Sequence, residues 1–228
     1  MIKTIARTLT AAALALLPLA TTSPAQAAGT LSLHDGIEAL PQAAEPRDGY
    51  ARTKFKHWID EDKDGCNTRA EVLVAEAVAQ PTVGPGCKIT GETWRSYYGD
   101  TTVDGPSDIN IDIDIDIDID IDIDHMVPLA DAWDSGASQC TAARRQAYAH
   151  DLGADRSLVA VTAKSNRSKA DQDPAQRMPP AIDAQCTYLA DRVSTKLRWS
   201  LTVGRAQRDT LRQLAVSCES TDAEFERM

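Results

Sequence analysis

The chain has 228 residues and a formal charge of −10, from 24 basic and 34 acidic side chains. Its length requires no second domain, since about 200 residues beyond an N-terminal leader are enough to bury a real core. The acidic balance argues on its face against a nucleic-acid partner, because affinity for a phosphate backbone comes largely from Lys and Arg releasing counterions. Seven of the acids, however, run from Asp112 to Asp124 in one dipeptide tract. Setting those aside takes −10 to −3 and leaves basic clusters at Arg144, Arg145, Lys164, Arg167 and Lys169.

Lys3 and Arg7 precede an apolar run from Ala11 to Ala20 and a small-residue site at Ala25, Gln26 and Ala27, the layout of a secretory signal peptide (1–27) cleaved after Ala27. That run is too short to span a bilayer, and nothing later reaches the roughly 18 continuous apolar residues of a membrane helix. The mature chain, 28–228, is therefore expected to be secreted and off the membrane. Leu33, Ile37 and Leu40 mark a short helix closed by Pro41, followed by a linker. Phe55, Trp58 and Ile59 stand at helical spacing within Tyr50 to Ile59, and Val72, Leu73, Ala75, Val78 and Ala79 predict a second amphipathic helix from Arg69 to Ala79.

Between these two segments lies an acidic loop, 60–71. Asp60, Asp62, Asp64, Gly65 and Glu71 match D-x-D-x-D-G followed by five residues and Glu, a Ca²⁺ loop pattern. Alternating carboxylates can wrap one hard cation, Gly65 allows the sharp turn, and Glu71 can close the shell. Asn67 stands where such loops are normally apolar, and Thr68 with Glu71 also forms a T-x-x-E capping box, which would make the loop a helix start with solvated acids before it. Both readings stay open.

Gly84 to Gly105 reads as turns with a short strand or two around Trp94, Tyr97 and Tyr98. Seven Ile-Asp units then run from Ile111 to Asp124. Strict alternation places every Ile on one strand face and every Asp on the other, but seven like charges on one face repel, so only the last one or two units need belong to the fold. After Pro128 and Leu129 to Trp133 come a helix from Thr141 to Asp151, a strand around Leu158 to Thr162, and a helix beginning near Lys164. Helices from Cys186 to Trp199 and from Gly204 to Cys218 complete an α+β, mostly helical single domain.

All five cysteines fall in the exported part, where two disulfides and one thiol are the economical reading. Cys66 with Cys87 and Cys186 with Cys218 is one pairing, each bond contributing about 3 kcal/mol in the chain-entropy model. Other connectivities stay open.

The stretch IDHMVPL, from Ile123 to Leu129, puts an imidazole directly after a carboxylate, as a metal-dependent nuclease needs at its active-site turn. Together with GYARTKFKHWIDEDKDGCNTRAEVL, IDHMVPLADAWDSGAS, RRQAYAHDL and SNRSKADQDPA, it resembles the secreted HNH endonucleases related to the C-terminal domain of GmrSD-type restriction enzymes, over nearly all of the mature chain. The resemblance implies a ββα-metal finger over about 120–172. In it His125 is the general base, Asp124 and Asn166 hold a divalent cation, and the residue at 150 orients the catalytic loop. The family's usual Asn is His150 here, and Cys140 and Arg177 stand where Trp is common.

The chemistry agrees independently. A neutral imidazole suits proton abstraction near neutral pH, and Asp and Asn oxygens suit Mg²⁺ or Mn²⁺. Lys169, one turn beyond Asn166, is placed to meet a phosphate oxygen, with Arg167 a further backbone contact. Asn166 equally suits a helix N-cap and Lys169 a solvated lysine, while His34 and His57 read as structural. The expected activity is phosphodiester hydrolysis in nucleic acid, DNA favoured and with low specificity. The alternative is a catalytically impaired extracellular Ca²⁺-binding or structural protein on the same scaffold.

Overall fold

The protein is described by a computed structural model over residues 28–91, 93–104 and 121–228. The expected signal peptide and the first five Ile-Asp units, residues 111–120, lie outside the described residues. The N-terminal part contains β1 (Ala28–Ser32), α1 (Leu33–Ala39), α2 (Thr68–Ala75), β2 (Thr82–Gly84), β3 (Lys88–Thr90), β4 (Thr93–Ser96) and β5 (Thr101–Asp104). Then come β6 (Ile121–His125), α3 (Leu129–Asp134), α4 (Ala142–Ala149), β7 (Leu158–Thr162) and α5 (Ala163–Lys169). The chain ends with α6 (Gln185–Arg198), α7 (Arg205–Ala215) and β8 (Asp222–Glu226). The fold is α+β, with helices around four two-stranded antiparallel sheets.

The first helix starts where Ser32 can cap it, its hydroxyl accepting the Asp35 amide at 3.1 Å. As the apolar spacing predicts, Leu33, Ile37 and Leu40 are buried, against Leu189, Val193 and Leu197 of α6 and Leu211 of α7. Gly36 permits the close approach: a Cβ there would lie 2.9 Å from Val193. β1 pairs along its whole length with β8, Ala28 opposite Glu226 and Ser32 opposite Asp222, which joins the two ends of the described chain.

Tyr50 to Ile59 is not a helix. It holds a single 3-10 turn, Arg52–Lys54, and Trp58 adopts a left-handed φ of 57° that breaks helical continuation. The apolar spacing arises because Phe55 fills a cluster with Trp133, Tyr148 and Trp199, whereas Trp58 packs against a different one. The second helix stops at Ala75 rather than Ala79, because Ala77 bridges to Trp94 and the Val78 amide bonds the Thr93 carbonyl. Both disulfides form as paired above, Cys66–Cys87 and Cys186–Cys218, with Cα separations of 5.1 and 5.4 Å, leaving Cys140 as the free thiol.

The last two Ile-Asp units, Ile121 to Asp124, make β6, which runs antiparallel to β7 with His125 opposite Leu158. Ile121 and Ile123 face Leu73, Ile89 and Trp94, while Val159 and Val161 of β7 pack with Tyr98 and Tyr188 on the other side. Buried ion pairs lock the excursion between the two strands onto α6. Asp131 accepts from Arg192 and Lys196, and Asp151 accepts from both Nε and Nη2 of Arg198 and from the Trp199 indole.

Glu76, just past α2, accepts the Ala160 amide of β7 at 2.7 Å, and burial lifts its carboxyl from 4.5 to about 7. A raised folded-state value means that the contribution of the protonated acid is complete below about pH 4.5 and lost as pH rises through about 7. Glu76→Gln keeps the acceptor and removes the charge. It is therefore expected to be more stable than the parent at pH 8, by about 2 kcal/mol, with that advantage vanishing near pH 4. Denaturant melts at the two pH values check this, and a pH-independent difference would refute it.

Candidate active site

Strand alternation sends the adjacent Asp124 and His125 to opposite faces of β6. Asp124 turns inward and is 4% exposed, its Oδ2 accepting the Tyr98 hydroxyl at 2.6 Å and its Oδ1 the Lys169 ammonium at 2.9 Å. Lys169 is itself 3% exposed and also donates to the His125 carbonyl at 2.9 Å. The expectation that Lys169 meets a phosphate is therefore corrected. It is held inside by the carboxylate it neutralises, because an unpaired ammonium at that depth would be far more costly.

His125 lies between aromatic rings. Trp58 is 5.3 Å away centroid to centroid and Tyr148 lies nearly parallel at 6.4 Å. Its Nε2 contacts the Ala149 carbonyl at 3.2 Å, and only an N–H can bond a carbonyl, so the proton sits on Nε2 and Nδ1 keeps its lone pair. Burial pulls the imidazole down to about 3, against the opposing effect of the Ala149 carbonyl. The ring is thus neutral, with the Nδ1 lone pair unprotonated, and burial makes its cationic form costly.

His150 ends α4 but does not touch His125. Its Nε2 donates to the Lys56 carbonyl at 3.0 Å, and its Nδ1 lies 2.5 Å from the Thr68 hydroxyl. Burial lowers its pKa, so Nδ1 accepts from that hydroxyl. The imidazole therefore ties the end of α4 to the segment before the acidic loop and to the start of α2. The residue before His150, Ala149, supplies the carbonyl that the His125 ring bonds. His57, half-buried, bonds the Phe55 carbonyl at 2.7 Å and packs on Trp58, while His34 is exposed.

The N-cap of α5 is Thr162, whose hydroxyl accepts the Ser165 amide, so Asn166 stands inside the helix rather than capping it. Its Nδ2 donates to Asp122 Oδ2 at 2.6 Å, and Arg69 lies 3.7 Å from the other Asp122 oxygen. Asn166 thus bonds the aspartate two residues before Asp124, which leaves its amide oxygen as the available end. Asp124, His125 and Asn166 line one cavity of about 330 Å³, together with Arg52, Arg167 and Asp171. Clefts of about 650 and 760 Å³ elsewhere contain none of these three residues. The donor chemistry fits a hard divalent cation: each Asp124 oxygen takes one donor and retains a lone pair, and the Asn166 oxygen is free. Arg52 was missed in the sequence, because it sits far from the Asp-His pair on a 3-10 turn without periodicity.

In the acidic loop, oxygens of Asp60, Asp62 and Asp64 lie within 4.8 Å of one another, all exposed. Among the described residues this is the only such gathering of three His, Cys, Asp or Glu ligand atoms. Gly65 turns the chain with φ of 99°, and Asp60 and Asp64 accept the amides of Gly65 and Cys66. Glu71 is not part of the gathering. The capping box does not form: Asn67 caps α2 by accepting the Ala70 amide, and the Thr68 hydroxyl is turned to Ile59 and His150.

Residues 81–214 match the model of the family described as GmrSD restriction endonucleases, C-terminal domain. That span includes Asp124, His125, His150 and Asn166, and begins after Arg52 and the acidic loop. A protein of Arthroderma benhamiae named "Uncharacterized secreted protein" is 36% identical over 187 residues, covering 82% of this chain and 83% of that protein. No solved structure matches.

Proposed function

Because the chain belongs to the family of the GmrSD restriction endonuclease C-terminal domain, we propose that it is a secreted, metal-dependent HNH endonuclease. It hydrolyses phosphodiester bonds in nucleic acid, DNA by preference and with low sequence specificity. The observation that carries this reading is that Asp124, His125 and Asn166, at the end of β6 and on α5, all line one cavity, with β7 as the return strand and the Asp124 carboxylate held on its inner side by Lys169 and Tyr98. The relative's name, the two disulfides and the leader-like N-terminus support export. No helix among the described residues is long and apolar enough to cross a membrane.

In this mechanism His125 takes a proton from the attacking water on Nδ1, while the Ala149 carbonyl holds the ring through Nε2. Asp124 and Asn166 are the residues that hold a divalent cation, Mg²⁺ or Mn²⁺. When bound, it supplies charge neutralisation at the scissile phosphate and the leaving oxygen. Lys169 and Tyr98 fix the Asp124 carboxylate, Asp122 fixes the Asn166 amide, and His150 keeps Ala149 in place. The tight gathering of Asp60, Asp62 and Asp64 favours a second reading for that loop, Ca²⁺ binding with a structural role.

Incubating mature protein with supercoiled plasmid and with RNA, in Mg²⁺, Mn²⁺, Ca²⁺ or chelator, tests both readings. Cleavage in Mg²⁺ or Mn²⁺ that chelator abolishes is the expected result. Absence of cleavage in every cation, with Ca²⁺-dependent thermal stabilisation retained, would instead make the chain an extracellular Ca²⁺-binding protein on a nuclease scaffold.

A further inference from the structure

The 330 Å³ cavity has two cationic walls that the cation-binding residues do not explain. Arg52 comes from the 3-10 turn Arg52–Lys54 and Arg167 from α5, and both are exposed. Neither guanidinium makes a hydrogen bond or ion pair among the described residues. Several other guanidiniums are engaged, Arg47 with Asp134, Arg69 with Asp122, Arg145 with backbone carbonyls, Arg192 with Asp131 and Arg198 with Asp151, and what sets Arg52 and Arg167 apart from the others that lack an ion pair is that both line this one cavity. Of the two carboxylates that line the cavity, Asp124 is neutralised by Lys169, and the exposed Asp171 shares Arg47, at 3.8 Å, with the closer Asp134. In a chain of net charge −10, two unpaired guanidiniums around one cavity form a local field suited to an anion. The planar fork of a guanidinium matches the paired oxygens of a phosphate better than a lysine does.

Building on the nuclease reading, we propose that Arg52 and Arg167 form a phosphodiester-binding subsite, in which Arg52 is a further catalytic residue that holds a non-bridging oxygen of the scissile phosphate and Arg167 holds the adjoining phosphate of the same strand. Arg52 lies outside the span matched by the family model and is supplied to the ββα unit by the segment that His150 anchors. The two roles differ in where charge develops. A donor at the reacting phosphate gains strength in the transition state, whereas one at a neighbouring phosphate binds ground state and transition state alike.

The test uses a short labelled DNA duplex with single-turnover rates at saturating protein, and dissociation constants measured by anisotropy in a His125→Ala background. Arg52→Ala is expected to lower the single-turnover rate about 100-fold, with an unchanged half-saturating Mn²⁺ concentration and an unchanged melting temperature. Arg52→Lys restores only part of it. Arg167→Ala is expected to weaken binding about tenfold, with the saturated rate within about threefold of the parent. A saturated rate for Arg52→Ala within about threefold of the parent, or a loss that tracks a shift in Mn²⁺ half-saturation, overturns the subsite. If the parent cleaves in a His125-dependent way while Arg52→Ala is unimpaired, the subsite fails alone. If the parent cleaves nothing, the nuclease reading fails and takes the subsite with it.

Discussion

Replacing His125 with alanine is expected to lower the single-turnover rate of DNA cleavage about a thousandfold, equivalent to about 4 kcal/mol of barrier. The size follows from the absence of a substitute. The imidazole is fixed by the Ala149 carbonyl and by Trp58 and Tyr148, and among the described residues lining the cavity it is the one neutral nitrogen base. Asp124 is engaged by Lys169 and Tyr98 and is not free to replace it. Because alanine also leaves a void between two rings, His125→Gln serves as the companion variant: it fills more of the space and can still donate to Ala149, but has no basic nitrogen. Both variants should lose rate at saturating substrate and cation while binding duplex as tightly as the parent. Cleavage equal to the parent in either variant would remove His125 from the chemistry.

The largest effect on stability is expected at Asp131. Burial alone would push its carboxyl up, but Lys196 and Arg192 outweigh that and hold it well below the ordinary carboxylate range. Asp131→Ala strands two cations that are each only 2% exposed, and breaking a buried pair from one side costs about 3 to 5 kcal/mol. For about 200 residues this corresponds to roughly 10 °C in melting temperature. Arg192 also donates to the Met126 carbonyl at 3.0 Å, so the loss reaches the residue after His125 and should lower activity before the protein unfolds. Urea denaturation gives the stability change, and a loss below about 1 kcal/mol would show that the cations find other partners or water. Asp131, three positions into the helix after the Asp-His turn, anchors α3 to α6 through Arg192 and Lys196.

The parts of the fold that could be read directly from residues are those in which local pattern and tertiary need coincide. Leu33, Ile37 and Leu40 face the core from one helix and its end, strict Ile-Asp alternation makes a two-faced strand of Ile121 to Asp124, and the apolar run Leu158 to Thr162 gives way to a polar helix that starts directly at Ala163. The β1–β8 ladder is not legible because its partners lie nearly the full described chain apart: DAEFE alternates polar and apolar residues strictly, but AGTLS does not, and five alternating residues name no partner strand. Tyr50 to Ile59 misled because Phe55 and Trp58 are apolar for two different clusters, and periodicity cannot distinguish that from one helix face. At the site, adjacency in sequence identified Asp124 and His125 and one helical turn connected Asn166 to Lys169, but the direction of each side chain was not legible. Lys169 points inward because the buried Asp124 carboxylate must be matched, and Asn166 turns to the half-buried Asp122 because β6 and α5 bring them together, constraints that only three-dimensional packing imposes. Arg52 was invisible for the same reason: the absence of a partner is a property of the folded surroundings, not of the sequence.

The most direct test of the cation site is paramagnetic. In nitrogen-15 labelled protein, substoichiometric Mn²⁺ should broaden the His125 imidazole and Asn166 side-chain amide resonances first, and Asp124→Asn should abolish that broadening. Broadening confined to the amides of Asp60 to Cys66, with His125 and Asn166 left sharp, would place the cation in the acidic loop and contradict a metal-dependent active site at the end of β6.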